Sequence, residues 1–313
     1  MTTPEVVRDK IKGPVIGLPT LFTEDFQINY AGIHQHVDFL IDRGIEVLML
    51  SVGISEYQHL SEEEIRMVAK TVAQAAAGRA TVIAETDPWW TNQAVEFAKY
   101  AEDVGVDFLL VIPPDVSYLP YDPSVHDDEL YRHFETVASA TRLGVLFHMK
   151  ALRGRGVSHL WSMSLIERVA AIDNVVGMKD ECASTFMTFE ILRRLGDKIA
   201  VIDDASPVSF YYTYRCGSPA WISGIGQFAP HLDLKFYHDL RRGALDEAYR
   251  FVTEVVPPYF TLMSRFNWVA TIKAAMDLVG LLGGPMRPPT PNLTPTQRIE
   301  LREFMAKAGM LEG

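Results

Sequence analysis

The chain has 313 residues, 48% of them hydrophobic and 22% charged, which at ~150 residues per domain allows one large domain or two smaller ones and excludes a mostly disordered polypeptide. Its 29 Lys and Arg against 40 Asp and Glu leave a formal charge of −11, so no electrostatic drive exists for a phosphate backbone and a nucleic-acid partner is excluded. Two cysteines, Cys182 and Cys216, cannot build a disulfide framework, residues 1–12 lack a signal peptide's apolar core, and no run reaches the ~20 apolar residues of a membrane span; the expectation is a cytoplasmic protein without a membrane partner.

Short apolar, β-branched runs recur at 15–18, 47–50, 81–84, 108–112, 144–147, 175–178, 200–202 and 220–223. Unbroken runs of this length predict strands buried on both faces. Stripes at i, i+3, i+4 spacing predict helices between them, over 30–42, 62–76, 91–104, 127–139 and 162–171. Ser61 with Glu64 predicts a capping box on the second of these. Strand starts lie roughly 30 residues apart, the size of a strand with its crossover helix. Eight such units predict a (β/α)8 TIM barrel. The competing doubly wound sheet expects a Gly-rich phosphate turn after the first strand, where this chain has Pro19-Thr20-Leu21-Phe22-Thr23. Beyond about residue 230 only helical patterns follow, over 232–240, 244–255, 268–279 and 295–308, with Pro257-Pro258, Gly283-Gly284-Pro285 and Pro288-Pro289 as punctuation. Thr294 as N-cap and Pro295 at the first helical position mark the last start. The expected organisation is a barrel over 1–230 and a C-terminal helical domain over 231–313.

A barrel carries its chemistry at the C-terminal ends of its strands. That rule selects Ser51 to Glu56, Glu85-Thr86-Asp87, Pro113-Pro114-Asp115, Phe147-His148-Met149-Lys150, Lys179-Asp180-Glu181, Asp203-Asp204 and Ser223-Gly224. Lys179 directly follows the apolar run Val175-Val176-Gly177-Met178. Desolvation there would favour the neutral amine, a nucleophile towards carbonyls. The competing reading is an ion pair with Asp180, Glu181 or Asp204, and both stay open at this point. A lone histidine such as His148 is a weak signal. Asp203-Asp204 reads more readily as a hydrogen-bonded loop pair than as an acid/base or metal pair, and no set of ligands has a metal spacing. Arg153 and Arg155 read equally as a carboxylate fork or as part of a surface loop.

At these residues the sequence resembles the dihydrodipicolinate synthase / N-acetylneuraminate lyase family of class I aldolases. Asp173-Asn174-Val175-Val176-Gly177-Met178-Lys179-Asp180 looks like the family's Schiff-base lysine strand. Ser51-Val52-Gly53-Ile54-Ser55-Glu56 with Leu60-Ser61-Glu62-Glu63-Glu64 looks like its Gly-Thr-Thr-Gly-Glu motif and the segment trailing it. Gly17-Leu18-Pro19-Thr20-Leu21-Phe22, Lys273-Ala274-Ala275 and Arg287-Pro288-Pro289 extend the similarity over most of the chain. The resemblance implies a barrel with a C-terminal helical domain, a homo-oligomer (dimer or tetramer), a small-molecule substrate and no metal or organic cofactor.

The chain also departs from that pattern. The family's two substrate-binding threonines fall at Gly53 and Ile54, with Ser51 and Ser55 beside them, and its catalytic tyrosine falls at Phe147. Its relay tyrosine falls near Asp115, three residues before Tyr118. The implied enzyme is a Schiff-base-forming lyase, of aldolase or dehydratase type, acting on a small 2-oxo acid or related carbonyl compound. Lys179 is its nucleophile, and Tyr118, ahead of His148, is the proton carrier. Strand alternation turns His148 away from the face of Phe147, which counts against it. Ser51, Gly53, Ile54, Ser55, Phe147 and Ser223 are the expected substrate-binding positions. The alternative is a catalytically impaired barrel that binds a small ligand as a sensor or scaffold.

Overall fold

A computed structural model describes residues 4–114, 123–150, 152–154, 157–159, 161–182, 184–204 and 206–311. Its strands are β1 (Gly13–Gly17), β2 (Val47–Leu50), β3 (Thr81–Glu85), β4 (Phe108–Val111), β5 (Gly144–Met149), β6 (Leu152–Gly154), β7 (Val157–His159), β8 (Val175–Asp180), β9 (Ala200–Asp203) and β10 (Ala220–Ser223). Eight of them form a closed barrel in the order β1-β10-β9-β8-β5-β4-β3-β2, while β6 and β7 pair as a separate antiparallel ribbon. Every residue of β1, β2, β4, β5, β8 and β9 is buried. Strands enclosed on both faces have no solvent side to carry polar residues, which is why their sequences are unbroken apolar runs.

The helices α1 (Pro4–Lys10), α2 (Tyr30–Asp42), α3 (Glu62–Ala76), α4 (Thr91–Asp103), α5 (Pro123–Ser139), α6 (Met163–Ala170), α7 (Thr185–Leu195) and α8 (Pro207–Thr213) alternate with the barrel strands. The capping box of Ser61 and Glu64 starts α3, with both reciprocal hydrogen bonds made. After β10 the described chain is helical: α9 (Pro230–Arg241), α10 (Leu245–Arg250), α11 (Val256–Arg265), α12 (Trp268–Leu278) and α13 (Pro295–Lys307). Pro257-Pro258, expected as a break, instead lies in the first turn of α11, where backbone N–H groups need no helical partner. A wide π-type turn over Phe251–Val255 leads into it from α10. Among the described residues no helix is long and apolar enough to cross a membrane.

The chain divides into two compact units, one of Met1–Lys12 with Thr81–Ile222 and one of Gly13–Ala80 with Ser223–Gly313. In the first, Phe134, Phe147 and Trp161 form a fully buried aromatic group, and Phe210 stacks on Trp221 at 4.5 Å between centroids. In the second, Phe236 packs on Phe251 and Phe228 on Tyr259.

Candidate active site

The first unit places Lys179 through an irregularity between β5 and β8. Val145 lies opposite Val175, but Leu146 lies opposite Gly177, so Val176 is an extra residue on β8. Such a bulge shifts all later partners by one. From there Phe147 faces Met178 and His148 faces Lys179. Glycine is required inside the shift. A Cβ on Gly177 would lie 2.9 Å from the Ala200 carbonyl oxygen and 3.0 Å from the Leu146 side chain.

Partners in a parallel ladder point to the same face, so His148 and Lys179 point together into the barrel. Both are buried, and Nε2 of His148 lies 3.1 Å from Nζ of Lys179. Lys179 donates to Oδ2 of Asp204 at 2.6 Å and lies 3.7 Å from Oε2 of Glu181. His148 bonds Glu85 through Nδ1 and lies 2.7 Å from Oε2 of Glu181 through Nε2. Glu85 is fully buried, Asp204 is partly exposed and Glu181 is exposed. One amine and one imidazole therefore sit among three carboxylates.

Burial alone would lower the Lys179 pKa, but Asp204, Glu85 and Glu181 outweigh it and hold the ammonium above its ordinary range. The neutral amine expected from desolvation is thus not the resting form; the ion pair with Asp204 is. Burial and the Lys179 charge push His148 down, and Glu85 and Glu181 more than reverse this, which holds the ring above its ordinary range and makes its neutral form a readier proton acceptor. Burial raises Glu181, yet the hydrogen bond with His148 and the Lys179 charge hold it at about 2. Burial dominates at Asp204 and leaves it raised. Nearby on β3's exit, burial and then Glu85 push Asp87 up to about 6.

Nε2 of His148 has two neighbours with opposite demands. The Glu181 carboxylate needs an N–H there, and the Lys179 ammonium needs the lone pair. Moving one proton from Nζ to Nε2 satisfies the first and frees the amine lone pair for attack on a carbonyl. His148, Glu181 and Asp204 offer ligand atoms within 4.8 Å of one another, a spacing that suits a cation. The cation they close on is the Lys179 ammonium.

Phe147, expected among the substrate-binding positions, is turned away from Lys179. Its ring is fully buried on the opposite face, 6.0 Å from Trp161 and 6.2 Å from Phe134 between centroids. Alternation does separate it from His148, but His148 is the one that faces the lysine. Alternation also splits Asp203 from Asp204. Asp203 accepts from Ser209 and Thr213, tying down α8, while Asp204 meets Lys179. Tyr118 and Asp115 lie outside the described residues.

In the second unit, the turn after β2 is held by its own hydrogen bonds. Ser55 Oγ donates to the Leu18 carbonyl at 2.7 Å and accepts from the Ser51 N–H at 3.1 Å. Ile54 fills the space above Gly17, where a Cβ would meet its Cγ2 at 2.9 Å, and Gly53 lies against Trp268. Glu56 ends the turn in a left-handed conformation (φ 57°) and pairs with Lys273 at 2.5 Å, both buried. Ser223 Oγ donates to buried Asp233 at 2.5 Å and accepts from the Gly226 N–H. The hydroxyls of Ser55 and Ser223 are thereby committed to the fold.

The profile of the dihydrodipicolinate synthetase family matches residues 10–308. The chain belongs to this family. A probable 5-dehydro-4-deoxyglucarate dehydratase of Methylobacterium radiotolerans is 29% identical over 96% of this chain and 96% of its own length. A 4-hydroxy-tetrahydrodipicolinate synthase of Gluconacetobacter diazotrophicus is 28% identical over 96% of this chain and 98% of its own. Among solved structures, dihydrodipicolinate synthase of Oceanobacillus iheyensis has a TM-score of 0.86 at 24% identity, covering 98% of this chain and 99% of that one. N-acetylneuraminate lyase of Mycoplasma synoviae has a TM-score of 0.82 at 22% identity, covering 96% and 98%. These two show the shared barrel. Members of the family are class I aldolases and lyases, and this chain is a Schiff-base-forming lyase of that type.

The sequence offers Lys179 with Glu181 and Asp204 among its possible ion-pair partners, whereas Glu85 shows only as a polar residue at a strand exit. The signal available for them was that three separate strands each end in an acid beside a barrel lysine.

Proposed function

We propose that Lys179 attacks the carbonyl carbon of a small 2-oxo acid and that His148, rather than Tyr118, carries the protons. The amine lone pair forms the C–N bond, and the resulting carbinolamine loses water to give an iminium. The iminium then accepts the electron pair of a C–C bond that breaks, or that of an α C–H bond whose proton a base removes, and in the second case the resulting enamine expels the β-hydroxyl, which leaves as water once protonated. The observation that carries this reading is the 3.1 Å approach of two buried groups, Nζ and Nε2, on neighbouring strands. The relatives named as dehydratases support water loss from an oxo sugar acid, with 5-dehydro-4-deoxyglucarate the first compound to try. The replacement of both family threonines by Gly53 and Ile54 supports weak binding of plain pyruvate. Cysteine scarcity and the family resemblance support a cytoplasmic homo-oligomer, dimer or tetramer.

The test is borohydride trapping with pyruvate and with 5-dehydro-4-deoxyglucarate, read by intact mass and peptide mapping. Lys179→Ala should abolish the mass gain and His148→Gln should slow it ~10²–10⁴-fold. Tyr118→Phe should leave it unchanged. Labelling that maps to Lys150 would overturn the assignment of Lys179, and a slow Tyr118→Phe with a normal His148→Gln would return the proton role to Tyr118.

A further inference from the structure

The lysine–histidine contact leaves one partner of the ring unexplained. Glu85 ends β3, and β4 lies between it and the strand that carries His148. It reaches Nδ1 across the barrel interior, and both residues are buried. A carboxylate without a proton only accepts, so Nδ1 must donate. With Nδ1 as the N–H, Nε2 is the nitrogen left with a lone pair in the neutral ring, and Nε2 is the one beside Lys179. A second consequence is electrostatic. When the proton arrives on Nε2, the new positive charge is already paired at Nδ1.

We propose that Glu85 is a positioning residue: by accepting from Nδ1 of His148 it fixes the tautomer that can take a proton from Lys179 and stabilises the imidazolium that results. This rests on the reading of Lys179 and His148 above. The proton moves from Nζ to Nε2, leaving a neutral amine with its lone pair and a doubly protonated ring. The charged groups facing His148 are Glu85 and Asp87 from the end of β3, Lys179 and Glu181 from the end of β8, Asp204 after β9, and Lys150 beyond its own strand. β4, which lies between β3 and β5, is Phe-Leu-Leu-Val and adds no titratable group.

The experiment compares wild type with Glu85→Gln, which keeps an acceptor oxygen but removes the charge. Its first arm needs no substrate. The chain is labelled with [15N]histidine, the His148 signals are assigned by their loss in His148→Gln, and the ring is titrated by long-range 1H–15N correlation. Wild type should show Nδ1 protonated throughout, and Glu85→Gln should lower the His148 midpoint by at least about one pH unit, a tenfold change in the proton equilibrium. The second arm is the rate of borohydride trapping with excess pyruvate from pH 6 to 10. Glu85→Gln should trap at least ~10-fold more slowly at neutral pH and recover towards wild type as pH rises, because Lys179 then loses its proton to solvent without help from His148. A merely structural glutamate would give a loss that pH does not repair. An unchanged midpoint, an Nε2–H tautomer in the wild-type neutral ring, or a pH-independent loss would overturn the role of Glu85. Trapping that survives Lys179→Ala would instead overturn the underlying reading, and the first arm would still decide the tautomer.

Discussion

Restoring the family's tyrosine at position 147 is the sharpest check on the β5–β8 register. Phe147→Tyr adds one hydroxyl at the para position of a ring with no exposed surface. Trp161 lies nearly parallel to that ring, at 23°, and Phe134 meets it edge-on at 68°. Neither offers an acceptor to a hydroxyl in that layer, and Trp161 already donates its Nε1 to the Lys150 carbonyl at 3.0 Å. A buried, unpaired hydroxyl costs ~1–3 kcal/mol. Forcing an extra atom into a filled layer costs a further ~1–3 kcal/mol. The variant should therefore unfold at lower urea concentration, with an unchanged slope, by an amount equivalent to ~2–6 kcal/mol. Its trapping rate should not rise, because the new hydroxyl points away from Lys179. A Phe147→Tyr chain as stable as wild type, trapping substrate faster, would refute the reasoning. It would mean that position 147 faces the lysine and that Val176 is not the extra residue.

Two further perturbations test the second unit. Asp233 is fully buried and its carboxyl is pushed up to about 7 by that burial. Its folded value lies above its unfolded one, so the native state holds the proton longer and stability falls as pH rises from ~4 to ~7, by at most about 1.4 kcal/mol per unit. Asp233→Asn should flatten that slope and be the more stable protein at pH 8, as read by urea unfolding at pH 5 and 8; parallel slopes would count against it. Lys273→Met strands the buried Glu56 carboxylate and should cost ~3–5 kcal/mol, whereas adding Glu56→Gln should recover most of the loss. A double variant no more stable than Lys273→Met would refute the pairing.

The barrel strands were legible because enclosure on both faces writes itself as unbroken apolar runs, as in Phe108-Leu109-Leu110-Val111. The long helices were legible from their stripes. α1 has only seven residues, and in α7 the exposed Phe186 and Phe189 blur the apolar stripe, so neither stood out. β6 takes in Arg153 and Gly154 of a stretch whose glycines read as loop. Lys179 was legible as a charge at the end of an apolar run. Asp204 was legible as a possible ion-pair partner, but Glu85 and His148, 94 and 31 residues from the lysine in sequence, come near it only when the strands are in register. His148 was ranked behind Tyr118 because alternation was counted from Phe147, and nothing in a one-dimensional pattern shows which of two neighbours faces inward.

The extra residue at Val176 makes a position in an alignment different from a position in space. Continuing the pairing of Val145 with Val175 without the shift would put Met149, not His148, across from Lys179. A thioether would then stand where the imidazole now stands, with both side chains still present in the sequence. Inserting or deleting a single aliphatic residue three positions before the lysine thus changes which side chain faces it. Column-by-column comparison of relatives would record the event as an unremarkable aliphatic gap. Searches for divergent activities in barrels of this kind should accordingly score the spacing between strand start and lysine, and not only the residues that flank it.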